Sequence, residues 1–208
     1  MYHSLDSKIP DDINDIYSLN EELFSEHINY LHTNFGSKIT PISKLSLDKD
    51  SVSITFDDGC KDVLFIAAPM LENLKIPFAV YVPPKLIQEE NSLYLNKKEL
   101  IELSNFSFCT IGAHGYSHTP LTKLNEIDLS YEIETSKLWL EDCLGKEVLH
   151  MSYPHGAVND NVKKVVKENG FLSATSSYPG TNSLTQDKFE LNRTAILSHD
   201  CINQFKSK

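Results

Sequence analysis

The sequence has few cysteines, and none of them are spaced for metal or redox chemistry. Cys60, Cys109, Cys143 and Cys201 lie far apart, and no two form a C-x-x-C pair that could hold zinc or exchange disulfides. We therefore expect reduced thiols, mostly in the core.

The sequence also lacks an excess of positive charge and any long hydrophobic run. Its 19 basic and 29 acidic residues give a net charge of -10, which disfavours binding to nucleic acid or anionic lipid. The longest apolar run, near residues 63–71, is far shorter than the ~20 residues that span a bilayer. No basic segment followed by an apolar one marks a signal peptide, so we expect a cytoplasmic chain without a transmembrane segment. The oligomeric state is not predicted.

Short β-branched and aromatic runs alternate with amphipathic segments along the 208 residues, which indicates an α/β fold of repeated βα units. The length suits a single domain covering residues 1–208. Six or seven such units favour a barrel, complete or incomplete. The predicted helices cover residues 21–35, 60–74, 97–104, 125–144 and 159–169. The predicted strands cover residues 51–56, 78–82, 106–111, 148–153, 171–175 and 189–197.

Two adjacent aspartates, Asp57 and Asp58, follow the first of these predicted strands. Adjacent carboxylates repel each other, and a cation or a shared proton offsets that cost. In α/β proteins this edge of the sheet is where active sites are built. The alternative is a simple turn, because Asp-Gly is a common turn dipeptide.

Two histidines, His114 and His118, follow another predicted strand and so lie on the same edge. The glycines and proline around them predict a loop that folds around an ion, and the alternative is two surface histidines. One carboxylate and two imidazoles are the usual ligands of a catalytic divalent metal. Zinc fits best, with cobalt, nickel or iron as alternatives. The other aspartate would then be the base that takes a proton from water.

A third stretch, Tyr153-Pro154-His155-Gly156, also follows a predicted strand. Tyr-Pro fixes an extended turn, and Gly156 allows close approach of a ligand to the backbone. An ordinary βα loop is the alternative. The functional interpretation is that a backbone N–H, such as that of His155, donates to a developing oxyanion.

Together these three stretches resemble the polysaccharide deacetylase family, the NodB-like domain of carbohydrate esterase family 4. Thr55-Phe-Asp-Asp-Gly59 matches its first motif, His114-Gly-Tyr-Ser-His118 its second, and residues 153–156 are similar to its third. The likeness runs from Tyr2 to about Arg193. It implies a distorted (β/α)₇ barrel that hydrolyses N-acetyl, or less often O-acetyl, groups on sugars.

The resemblance also implies roles for single residues. It makes Asp57 the base, makes Asp58, His114 and His118 the metal ligands, and places the His155 backbone, with Tyr153 and Pro154 beside it, against the substrate and oxyanion. Many members have an arginine where Ser152 stands, to orient the base. We predict that Arg193 supplies this guanidinium from a neighbouring strand.

Two histidines compete for the role of the acid that protonates the leaving amine. Leu197-Ser-His199 fits the family's last motif, but it follows Gly156 too soon to leave room for the segment that usually separates them. His3, after Tyr2, resembles the histidine on the first strand of the biofilm-polysaccharide deacetylases. We favour His3; the alternative is a histidine in a frayed terminus.

The sequence therefore predicts a metal-dependent enzyme that removes the N-acetyl group of an amino sugar. The alternatives are a catalytically silent carbohydrate-binding barrel, an O-acetyl esterase, and an Fe(II) oxygenase that uses two histidines and one carboxylate. The sugar itself is not predicted.

Overall fold

A computed structural model describes residues 1–9, 12–89 and 91–208. Its core is a five-stranded sheet in the order β3-β4-β5-β6-β7, and every neighbouring pair in it is parallel. The strands are β1 (Ser4–Leu5), β2 (Ser18–Leu19), β3 (Ile54–Phe56), β4 (Phe78–Val82), β5 (Cys109–Ala113), β6 (His150–Ser152) and β7 (Ser173–Thr175). All five residues of β4 are buried, as expected for a parallel strand covered on both faces.

Short segments extend the five-stranded sheet at both edges, so that it curls toward a closed barrel. β1 pairs with β2, and Tyr2, just before β1, bridges Phe56 in β3. At the other edge Leu191 bridges Thr175 in β7. The same segment reaches back to the first strand, because the N–H of Ile196 donates to the carbonyl of Met1 at 2.9 Å. The architecture is a single α/β domain with a curled parallel sheet, consistent with the predicted distorted barrel.

The helices are α1 (Glu21–Phe35), α2 (Ala68–Asn73), α3 (Pro84–Gln88), α4 (Lys97–Leu103), α5 (Glu126–Leu144), α6 (Asp160–Glu168) and α7 (Ile202–Lys206). Helices α1 to α6 lie between successive strands, α7 follows the last strand, and side-chain caps fix several helix ends. Asn20 and Asn125 accept N–H bonds as the N-caps of α1 and α5, and Gly145 ends α5 in the left-handed conformation. In the described part of the chain, no helix combines the length and apolar character needed to cross a membrane.

Two predicted elements differ from the structure. The predicted helix 60–74 contains a π-helical turn, Val63–Ala67, before α2. Pro69 explains it, because proline has no N–H to donate and clashes with the carbonyl four residues earlier. The predicted strand 189–197 was wrong: after Leu191 the backbone leaves the sheet, and the N–H of Arg193 donates to Tyr178 instead.

Candidate active site

The residues predicted to carry chemistry meet at the carboxyl ends of the parallel strands. Asp57 and Asp58 follow β3, His114 follows β5, and Tyr153 follows β6. Because these strands run parallel in one sheet, the residues after them come to the same edge. His3 joins them, since the carbonyl of the preceding Tyr2 accepts the N–H of Asp57 at 3.0 Å.

Asp58, His114 and His118 form a cluster that could hold a metal ion. One oxygen of Asp58, Oδ1, lies 3.1 Å from Nε2 of His118 and 3.4 Å from Nε2 of His114. The three ligand atoms all lie within 4.8 Å of one another. Four-coordinate zinc with bonds of ~2.0–2.1 Å separates neighbouring ligand atoms by about 3.3–3.4 Å, so the two distances from Asp58 to the imidazoles are of the right size.

The surroundings of the cluster also fit a cation. Asp58 is 6 % exposed, and the polar groups nearest its Oδ1 are the Nε2 atoms of His114 and His118. Burial raises the pKa of this carboxyl, but hydrogen bonds with His114 and His118, and the charge of His118, more than offset burial and hold the pKa well below its usual range. Nδ1 of His114 lies 2.8 Å from the carbonyl of Ser152, which directs Nε2 toward Asp58.

The carboxylate of the second aspartate, Asp57, accepts two hydrogen bonds from a guanidinium. Arg193, the only arginine in the sequence, donates from Nη1 to Oδ1 at 2.7 Å and from Nη2 to Oδ2 at 2.6 Å. Ser152 donates to Oδ2 at 3.1 Å and accepts from Nη2 of Arg193 at 2.6 Å. Burial raises the pKa of Asp57, but the charges of Arg193 and His114 outweigh it and hold the pKa far below its ordinary value.

The guanidinium is itself held in place. Its Nε donates to the carbonyl of Ser176 at 2.8 Å, and Nη1 also donates to the hydroxyl of Thr55 at 3.2 Å. Arg193 is only 7 % exposed, and its guanidinium carbon lies 5.6 Å from the ring centre of Tyr81. Arg193 therefore binds Asp57, the residue that the sequence predicts as the base, although its segment is not a strand.

The third stretch brings one backbone donor to the site. His155 is exposed, has a φ of 56°, and its Nε2 lies 3.2 Å from the carbonyl of His118. Its N–H has no acceptor among the described residues, so it can donate to a ligand. Pro154 is buried. Tyr153 is fully buried with its hydroxyl on the Phe189 carbonyl, so its side chain packs in the core and not against a substrate.

The two candidate acids lie in different surroundings. The ring of His3 packs 4.4 Å from the ring of Tyr17, and its Nδ1 is buried without a partner among the described residues. Burial lowers the pKa of His3, while the charges of Asp58 and Asp57 act in the opposite direction. His199 is exposed, and within the described residues its side chain makes no hydrogen bond or ring contact. The structure thus brings only His3 to the two aspartates.

Two buried residues next to the site, Glu132 and Ser136, were not predicted from the sequence. Both are buried on α5 and bind the loop that carries His118. They share the inner face of that helix with Leu129, Ile133 and Leu140. A polar residue at an apolar helix position was the available signal.

Comparisons with known proteins agree with these motifs. The polysaccharide deacetylase family model matches residues 44–174. YxkH of Bacillus subtilis, named as a polysaccharide deacetylase, is 25% identical over 207 residues, covering 94% of this chain and 70% of that protein. The poly-β-1,6-N-acetyl-D-glucosamine N-deacetylase of Staphylococcus aureus is 28% identical over 171 residues, covering 74% of this chain. The match covers only 59% of that enzyme's own length.

Solved structures show the same fold. The Streptococcus pyogenes deacetylase PplD, solved in complex with acetate, has a TM-score of 0.83 at 19% identity over 100% of this chain and 95% of its own. The family model spans well over half of the sequence and includes the two aspartates and the three histidines His114, His118 and His155. The chain belongs to the polysaccharide deacetylase family.

Proposed function

We propose that the chain is a metal-dependent hydrolase that removes the N-acetyl group of an amino sugar in a polysaccharide, glycolipid or glycan precursor and releases acetate. We take residues 1–208 as one such domain. The observation that carries the proposal is the cluster in which the buried Oδ1 of Asp58 faces the Nε2 atoms of His114 and His118, a set of three atoms that could bind one metal ion. The named substrate of the Staphylococcus aureus relative supports an N-acetylated sugar.

Asp58, His114 and His118 would hold the ion, with zinc the best fit and cobalt, nickel or iron as alternatives. A divalent ion there supplies polarisation of the acetamide carbonyl and a lower pKa for water. Because the cluster offers three ligand atoms, positions remain for water and substrate. The nearby second carboxylate sets this arrangement apart from that of an Fe(II) oxygenase.

Asp57 would act as the base that takes a proton from the attacking water. Its lowered pKa keeps it ionised at neutral pH, and Arg193 and Ser152 hold its carboxylate in one orientation. A positioned base of this kind typically contributes ~10²–10⁴-fold to the rate.

The remaining groups would act on the other atoms of the amide. The free N–H of His155 would donate to the oxygen that becomes negative when water adds to the carbonyl. His3 would give a proton to the amine nitrogen as the C–N bond breaks, leaving acetate and a free amino sugar. The same groups could hydrolyse an O-acetyl ester, where the leaving alcohol needs less help from an acid.

The test is acetate release from a panel of N-acetylated sugars, oligomers and glycan precursors. Metal-free protein would be supplied separately with zinc, cobalt and nickel, and Asp58→Ala would be the control. We expect release from at least one N-acetylated substrate by the wild type only. Stoichiometric metal binding without release from any substrate would favour a silent carbohydrate-binding barrel, and release from O-acetyl sugars alone would favour an esterase. Oxygen consumption would indicate an oxygenase. The cytoplasmic location stays a prediction from the sequence.

A further inference from the structure

The loop that carries His118 needs support from outside itself. It leaves β5 after Ala113 and contains two residues with positive φ, Gly115 at 64° and His118 at 62°. A left-handed conformation costs a residue with a side chain ~1–2 kcal/mol, so the loop does not adopt this shape by local preference. The 3.1 Å separation between His118 and Asp58 therefore depends on what holds the loop.

A buried carboxylate on α5 holds it. Oε2 of Glu132 accepts the N–H groups of Tyr116 and Ser117 at 2.8 and 2.9 Å, and Oε1 accepts the hydroxyl of Ser117 at 2.6 Å. One turn later Ser136 donates to the carbonyl of Gly115 at 2.9 Å. Helix α5 thus binds the three residues directly before His118.

The partners of Glu132 distinguish it from an ordinary buried ion pair. The residue is 7 % exposed, and in the described part of the chain no basic side chain forms an ion pair with it. Burying an unpaired carboxylate is costly unless its oxygens accept several hydrogen bonds. Here all three donors to the carboxylate belong to the loop that carries His118. Among the described residues, Glu132 therefore forms its hydrogen bonds with that loop.

The loop is also packed too closely to move far toward α5. A Cβ at Gly115 would lie 3.3 Å from Oε2 of Glu132 and 3.0 Å from Cγ of Pro154. A substitution that removes the carboxylate takes the acceptor away from two half-buried N–H groups, and we expect the loop to shift as they pair with water or other acceptors. A shift of the backbone before His118 displaces its Nε2 from Asp58.

We propose that Glu132 is a positioning residue that sets the metal affinity of the site through His118. This inference rests on the metal site of the proposed function. Residues that hydrogen-bond to a metal ligand and orient it, without binding the metal themselves, typically lower metal affinity by ~10–100-fold when they are removed. The same helix offers a matched control in Glu141, a half-buried carboxylate that accepts the N–H of Val148 at 2.9 Å and pairs with Lys137.

The experiment is titration of the metal-free protein with Co²⁺, followed by the visible absorption of the bound ion, for wild type, Glu132→Ala, Glu132→Gln and Glu141→Ala. We expect Glu132→Ala to lose ~10–100-fold in affinity and to change the absorption band of the bound ion. Glu132→Gln should stay within a few-fold of wild type, because its amide oxygen can accept both N–H groups. Glu141→Ala should have a lower Tm than wild type when both are metal-free in chelator, but it should bind Co²⁺ with wild-type affinity.

Wild-type affinity and an unchanged band in Glu132→Ala would overturn the inference while leaving the proposed function intact. If that variant does not fold, Glu132→Asp replaces it: the charge stays, but the shorter side chain cannot reach both N–H groups, and wild-type affinity would again overturn the proposal. Failure of wild-type protein itself to bind Co²⁺ would refute the metal site of the proposed function, and this inference with it.

Discussion

Replacing Arg193 by alanine should destabilise the protein strongly, and by an amount that depends on pH. The substitution leaves the buried carboxylate of Asp57 without its two guanidinium bonds. Breaking a buried ion pair by removing one partner typically costs ~3–5 kcal/mol of the free energy of unfolding. For a domain of this size one kcal/mol corresponds to ~2–4 °C in Tm, so the expected drop is about 6–20 °C.

The pH dependence follows from the pKa of Asp57. In the wild type this pKa is held far below its unfolded value of ~3.9, so the pair contributes its full stability above that pH and loses it as pH falls through the folded pKa. Burial raises the pKa of Asp57, and the charge of Arg193 is the main effect that lowers it. Without Arg193 the pKa of Asp57 therefore rises. A protonated Asp57 is neutral, so its burial without a guanidinium costs less free energy. The destabilisation should therefore be largest near pH 8 and shrink as pH falls toward 4.

The assay is urea unfolding of metal-free protein in chelator from pH 8 to pH 4, for wild type and Arg193→Ala. Lys164→Ala is a control, because Lys164 also forms an ion pair, with Glu168, but both of these side chains are exposed, and exposed pairs contribute at most about 1 kcal/mol. A cost below about 1 kcal/mol for Arg193→Ala, or one that is the same at pH 4 and pH 8, would show that the ion pair does not hold Asp57 as described.

Three further sets of substitutions test the proposed roles. Asp57→Asn should keep metal binding but lower turnover at least ~10²-fold, since an amide cannot accept the water's proton; near-wild-type turnover would remove Asp57 from the mechanism. Alanine at Asp58 or His118 should abolish stoichiometric Co²⁺ binding, and anomalous scattering from an ion placed elsewhere would contradict the site. His3→Ala should reduce deacetylation of an N-acetyl sugar far more than His199→Ala, with a smaller defect on an activated acetate ester; a dead His199 variant beside an active His3 variant would reverse the assignment.

The sequence predicted well those features that depend on neighbouring residues. Asn20 and Asn125 cap helices because their side chains reach N–H groups three residues on, and Gly145 ends α5 because it tolerates a left-handed backbone. Likewise, Asp58 and His114 could be placed on one edge of the sheet, because each follows a parallel strand by one or two residues.

Features that depend on distant parts of the chain were harder to predict. The segment after Leu191 has the composition of a strand, but Arg193 is drawn to Asp57, 136 residues earlier, and strand pairing stops there. The role of Arg193 was predicted only because Ser152 stands where the family has an arginine. The function of Glu132 depends on the packing of α5 behind a loop, which local periodicity does not describe.

Three buried carboxylates around the site compare directly, and their differences support a cation at one of them. Asp57 is neutralised by Arg193, and Glu132 accepts three hydrogen bonds from the loop. Asp58 has neither a guanidinium nor a backbone N–H at Oδ1 among the described residues; two imidazole nitrogens lie within 3.4 Å of that atom instead. Two imidazole nitrogens and a carboxylate oxygen held this close are the ligands that a divalent ion such as zinc prefers. Asp58 differs from the other two carboxylates in that its nearest partners are two imidazole nitrogens, which together with its own oxygen form the ligand set of the proposed metal site.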